Sequence, residues 1–169
     1  MIVFLGMDDT GQPGKCGTAD LALELGLALQ AGGFARLLYV SMHRLLAHCE
    51  ETPGASVNQA ACLTLEAEPP LLREIEMESR VYINRNYCAG ANPGFALADP
   101  SQVNQRILSY AKACRMLVMD PRDALELARG GGIAISALAG SGRGIIGALA
   151  AIGWRWQGSD GVISWMPGL

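Results

Sequence analysis

Asp8 and Asp9 close a short apolar run, Ile2-Val3-Phe4-Leu5-Gly6-Met7. Two adjacent carboxylates at a strand end can hold Mg²⁺, which in turn bridges phosphate oxygens. Thr10 follows, then a tight loop through Gly11, Pro13 and Gly14 that carries Lys15, a point charge within reach of a phosphate. A helix opening near Thr18, with Thr18 as its N-cap and Asp20 in its first turn, would add unpaired amide N–H groups and about half a unit of positive charge. The same residues also read as a surface turn with a capped helix and a solvated lysine. A strand, an acidic pair, a glycine loop and a helix together form a weak motif.

A second constellation lies far along the chain. Gly140-Ser141-Gly142-Arg143-Gly144 precedes an apolar helical stretch at 145–153, so glycine amides and a helix start again offer an anion site. Arg143 is suited to clamp a phosphate or carboxylate with two parallel N–H bonds. Gly144 and Gly147 would let that helix approach another backbone closely. Between the two lies residues 87–98, where Gly90, Asn92, Pro93 and Gly94 force a turn. It reads either as a pocket lining, through backbone N–H groups and the Asn92 amide, or as a connecting loop. His43 and His48 are five apart, which is not the spacing of a helical metal pair, and they read as a partly exposed polar face.

The elements that must position these groups read as α/β, or mixed α+β: a compact sheet with flanking helices in one domain over residues 1–169, or in two small subdomains. Strands are expected near 2–5, 36–42, 59–66, 115–119 and 162–166. Helices are expected from 18 to Gly32-Gly33, where the glycines stop it, and over 43–51, from Pro69-Pro70 onward, 101–113, 121–128 and 145–153. Residues 154–166 read as a terminal hairpin turning at 158–161, its tryptophans covering the core.

The chain has 169 residues, half of them hydrophobic and 17% charged, which supplies a sizeable core. A net charge of −3 argues against broad electrostatic capture of nucleic acid, although a local basic groove is compatible with it. Five scattered cysteines with no CxxC pair fit reduced thiols rather than a structural zinc or a disulfide framework. With no signal-like or membrane-spanning apolar run, the expectation is a cytoplasmic protein without a membrane partner.

Three ordered segments, GMDDTGQPGKCGT, ANPGFALAD and GSGRGIIGALAAIG, resemble the catalytic, kinase-like domain of archaeal tRNA(Ile2) agmatidine synthetase. The resemblance spans nearly the whole chain, and GRGIIGALAAIG is its most specific part. It implies an ATP- and Mg²⁺-using domain of transferase or ligase type. On that resemblance Asp8 and Asp9 handle metal and phosphate, and Thr10 and the Lys15-Cys16-Gly17-Thr18 loop face the nucleotide. Asn92, Pro93 and Gly94 line the pocket, and Gly142, Arg143 and Gly144 contact the nucleotide. The chain departs from the pattern at Gly11, where the family has an acid, and at Gly17, where it has the threonine that it phosphorylates.

Three functions follow as expectations. One is a stand-alone, Mg²⁺-dependent phosphoryl- or nucleotidyl-transfer enzyme on an unidentified small molecule or RNA. The second is a nucleotide- or anion-binding module without chemistry, acting in a larger assembly. The third is a tRNA-modifying enzyme whose RNA-binding parts come from a partner chain. A partner protein or a homo-oligomer is compatible with each.

Overall fold

The computed structural model describes residues 1–11, 17–46 and 58–168. The expectations for Pro13, Gly14, Lys15, Cys16, His48, Cys49 and residues 52–54 lie outside these. Six strands form one sheet in the order β5-β4-β1-β3-β2-β6. They are β1 (Ile2–Asp8), β2 (Ala35–Arg44), β3 (Gln59–Ala67), β4 (Gly94–Ala98), β5 (Ala134–Ala137) and β6 (Val162–Trp165). Every neighbouring pair is antiparallel. The sheet with flanking helices is therefore as expected, in its α+β form.

Side-chain alternation along the strands builds two cores, because successive residues point to opposite faces. Val3, Leu5 and Met7 of β1 join Leu63 and Leu65 of β3 and Phe95 and Leu97 of β4 on one face. Helices α1 (Thr18–Ala31) and α2 (Leu72–Asn86) cover them with Leu21, Leu25 and Leu29 and with Ile75 and Ile83. Phe4, Ala60, Cys62, Ala96 and Ala98 form the other face. There α5 (Gly144–Gln157) lies against the strands, backed by α3 (Gln105–Ala113) and α4 (Pro121–Gly131). α5 is almost wholly buried, so its IIGALAAIG run reads as apolar on every side.

Several expectations are corrected. Residues 115–119 are a turn after α3, with Met116 and Val118 about 70% exposed, and not a strand. α3 ends at Ala113 with Cys114 as its C-cap, and Asp120 caps α4, which leaves no room for a paired strand. Residues 94–98, expected in a loop, form β4, a strand inside the sheet that is buried throughout. The preceding glycines and proline masked its short run of small residues. Residues 154–157 extend α5 instead of opening a hairpin, and β6 pairs with β2. The N-cap of α1 is Gly17, with Thr18 its first helical residue. Gly32 closes the helix as expected.

Candidate functional site

β1 delivers Asp8 and Asp9 to one end of the sheet, where Asp8 pairs with Gly94 at the start of β4. α5 begins against that pair. A Cβ at Gly144 would overlap Asn92 O and Gly94 N and stand 2.8 Å from Asp8 O. A Cβ at Gly94 would in turn overlap the backbone of Gly144 and Ile145. Glycine at both positions is thus what lets the first turn of α5 touch the β1–β4 ladder. The three segments singled out in the sequence meet here through backbone contact.

Asn92 joins them through its side chain. Its Nδ2 donates to Asp9 Oδ2 at 3.1 Å, and its Oδ1 accepts from the Ser141 amide at 2.8 Å and the Ser141 hydroxyl at 3.0 Å. Its carbonyl accepts from the Gly144 amide at 3.1 Å. The amide expected to line the pocket is therefore engaged by protein, and it aligns the acidic turn with the glycine–arginine loop. Asp9 is in the left-handed region at φ 50°, which a non-glycine residue seldom adopts. Such backbone persists where surrounding contacts hold it, often at functional sites.

Asp8 is packed against the same helix, and a Cβ at Gly147 would overlap its carboxylate. Burial pushes the Asp8 carboxyl up to about 8, against the pull of the Asp9 amide and with a smaller push from the Asp9 charge. Arg143 sits at the N-cap of α5, half-buried, beside Gly142 at φ 78°. Thr10 is fully buried; its hydroxyl meets Thr18 Oγ1 at 3.2 Å and its carbonyl accepts from the Cys88 amide at 2.8 Å. Thr10 thus ties the exit of β1 to the start of α1 and is closed to solvent. Pro93 and Gly94 are buried in packing as well. Ser141 and Gly147 complete the constellation. Gly147, expected to allow a close approach, meets the Asp8 carboxylate, whereas nothing about Ser141 announces its bonds to Asn92.

Two aspartates are the acidic groups present, and no group of three or more His, Cys, Asp or Glu side chains able to hold a metal occurs among the described residues. That donor set suits Mg²⁺, which commonly takes one or two carboxylates and completes its shell with water and phosphate oxygens. Asp8, whose carboxyl burial pushes up, would gain a counter-charge from a cation held there.

His43 is elsewhere and is fully buried, not part of a partly exposed face. Its Nδ1 meets Asp160 Oδ2 at 3.1 Å and its Nε2 meets Ser41 Oγ at 2.9 Å. Both ring nitrogens are thus occupied, so a metal role is unsupported. The order Ser41–His43–Asp160 copies the connectivity of a hydrolytic triad, but a serine 2% exposed offers no nucleophile. Arg115 completes the cluster, with Nη2 2.6 Å from both Asp160 oxygens and its guanidinium 3.7 Å from the centre of the Trp154 ring. Asp160 therefore clamps the segment before β6 onto β2 and the end of α3.

No family model matches the sequence, and no curated protein matches it. Solved structures do. A crystal structure of a tRNA(Ile2) agmatidine synthetase–tRNA–ATP complex matches with a TM-score of 0.78 at 23% identity, over 90% of this chain and 36% of that one. The apo form of that enzyme matches with 0.74 at 23% identity over 90% and 35%. A tRNA fluorescent labeling enzyme matches with 0.76 at 22% identity over 90% and 36%. The chain spans about a third of the length of these proteins. The resemblance read from three sequence segments thus holds at the level of structure, and the chain carries a divergent version of the fold found in tRNA(Ile2) agmatidine synthetase.

Proposed function

We propose that the junction of β1, β4 and α5 binds the phosphates of ATP with Mg²⁺, and that the chain is the ATP-using part of a transferase or ligase acting on RNA or on a smaller acceptor. The observation that carries this reading is the Asn92 side chain, which joins an acidic turn and a glycine–arginine loop in one network. The solved complexes of a similar fold with tRNA and ATP, and with AMPCPP and agmatine, support the substrate classes.

In this reading Asp8 and Asp9 hold the metal, which neutralises phosphate charge when bound. The glycine loop around Gly142 and the Arg143 guanidinium face phosphate oxygens, with Gly144 holding the loop against Asn92, while the partly exposed start of α1 at Gly17 and Thr18 adds a second helix N-terminus. Lys15 and Cys16 would belong to the same loop. Phosphoryl transfer depends mainly on positioning and charge neutralisation, and these groups supply both.

A second reading is favoured by Gly17 at the N-cap of α1, which has no hydroxyl to accept phosphate. The fold would then bind nucleotide without transferring it. Calorimetry of ATP with and without Mg²⁺ on wild type and Asp9→Ala, paired with turnover assays, separates the readings. Mg²⁺-dependent binding that Asp9→Ala weakens at least tenfold supports the site. Binding without turnover on any acceptor selects the second reading, and equal binding by wild type and variant removes the metal role.

A further inference from the structure

Three arginines are neutralised by carboxylates among the described residues. Arg36 pairs with Glu66 at 2.6 Å, Arg80 with Glu76 at 3.3 Å, and Arg115 with Asp160 at 2.6 Å. Arg155 is half-buried in the last turn of α5, yet no carboxylate pairs with it among the described residues. Its Nε donates to Thr64 Oγ1 at 3.0 Å, and this is the one hydrogen bond its guanidinium makes among them. The plane lies 4.7 Å from the centre of the Tyr39 ring and 5.5 Å from that of Phe4.

Phe4, Thr64 and Tyr39 are cross-strand neighbours on β1, β3 and β2, so they form one row across the sheet beneath the guanidinium. The two rings and the threonine hold the plane in place. Among the described residues no protein atom hydrogen-bonds the two terminal nitrogens, which sit in a partly desolvated setting where a charged group gains from a bound counter-ion. The helix C-terminus contributes about half a negative charge near Arg155, but it supplies no atom to those nitrogens. Burial lowers the Arg155 pKa. Arg143 and Arg155 lie twelve residues apart on one helix, about 18 Å along its axis, so this place is distinct from the proposed ATP site.

We propose that Arg155, seated on Tyr39 and Phe4, is an oxyanion-binding site that takes a phosphate or carboxylate group through its two terminal nitrogens. The forked guanidinium is the right shape for either group, and the aromatic row fixes its orientation. The inference does not depend on the ATP reading.

The test is ¹⁵N NMR on the full chain, reading the Arg155 Nε–Hε signal and the Thr64 and Tyr39 amides during titration with inorganic phosphate at constant ionic strength set by chloride. Saturable shifts at these three positions are expected. Arg155→Lys, which keeps the charge but loses the fork, should weaken half-saturation about tenfold, and Arg155→Gln should abolish the amide shifts. If Arg155→Gln fails to fold, Arg155→Lys carries the test. Acetate and a short oligoribonucleotide are the further arms. Tighter saturation by the oligonucleotide assigns the site to phosphodiesters, and by acetate to carboxylates. Shifts that stay linear and match those from chloride alone, or that persist unchanged in Arg155→Lys, overturn the proposal.

Discussion

The Asn92 amide nitrogen stands 3.1 Å from Asp9 Oδ2, while the oxygen of the same side chain holds the Ser141 amide and hydroxyl. One uncharged side chain thus fixes an aspartate at φ 50° and the loop that leads into α5. Removing it leaves the carboxylate and the loop free of each other. Asn92→Ala is expected to cost about 1–3 kcal/mol of stability by chemical denaturation. It should also weaken ATP binding about tenfold or more. Asn92→Asp should be worse in both respects, since it sets a second negative charge against Asp9. Ser141→Ala removes one of the bonds to Asn92 Oδ1 and should have the smaller effect of the three.

Asp8 makes stability depend on pH in an unusual direction. Its folded pKa of about 8 lies above its ordinary value of 3.8. The folded chain therefore keeps a proton that the unfolded chain releases, and this contribution to stability is lost as pH rises from about 4 to about 8. Asp8→Asn, which cannot ionise, should melt higher than wild type at pH 8 by about 1–3 kcal/mol equivalent and show little difference at pH 4. Asp8 keeps partial contact with water, which softens the effect of the charge. Thermal melts of the two proteins at both pH values, without added metal, measure it.

His43 acts in the opposite sense. Burial lowers its pKa against the pull of Asp160, so the folded state resists a proton that the unfolded state takes up below about 6.5. Its contribution is complete above that pH and is lost as pH falls. A urea series from pH 7.5 to 5 should show wild type losing stability, with a flatter profile in His43→Gln. Asp160→Asn should also loosen the segment before β6, seen as faster hydrogen exchange at Ser41 and Val162, because it weakens the tie between Arg115 and His43.

Glycine at the β4–α5 contact leaves no room for a methyl group. Gly94→Ala would force its Cβ into the Gly144 backbone, which cannot move without lifting α5 off the sheet. Such overpacking costs about 1–3 kcal/mol, and more where the obstacle is main chain. Gly147→Ala meets the Asp8 carboxylate instead. It is expected to disturb ATP and Mg²⁺ binding more than it lowers the melting temperature, whereas Gly94→Ala should do the reverse.

The parts of the fold legible in the sequence are those with periodic, unambiguous patterns. β1, β2, β3 and α1 stand within a few residues of their expected places, because their apolar runs are bounded by glycine or polar residues. β4 was hidden because FALA is short and follows a proline and a glycine that read as turn. The apolar run Met116-Leu117-Val118 misled in the other direction, since hydrophobicity without a partner strand gives an exposed turn. The meeting of Asp8 with the glycine loop was legible only through three segments considered together. The bonds that make Asn92 a bridge, and the seat of Arg155 on Tyr39 and Phe4, depend on pairings across the sheet that local spacing does not encode.

The most direct measurement is a crystal of the chain soaked with ATP and Mg²⁺. The account predicts triphosphate density between the Asp8–Asp9 turn and the loop around Gly142, with a metal ion on at least one of the two carboxylates and Arg143 against a phosphate oxygen. Nucleotide bound elsewhere, with that junction filled by solvent alone at saturating ATP, would contradict it.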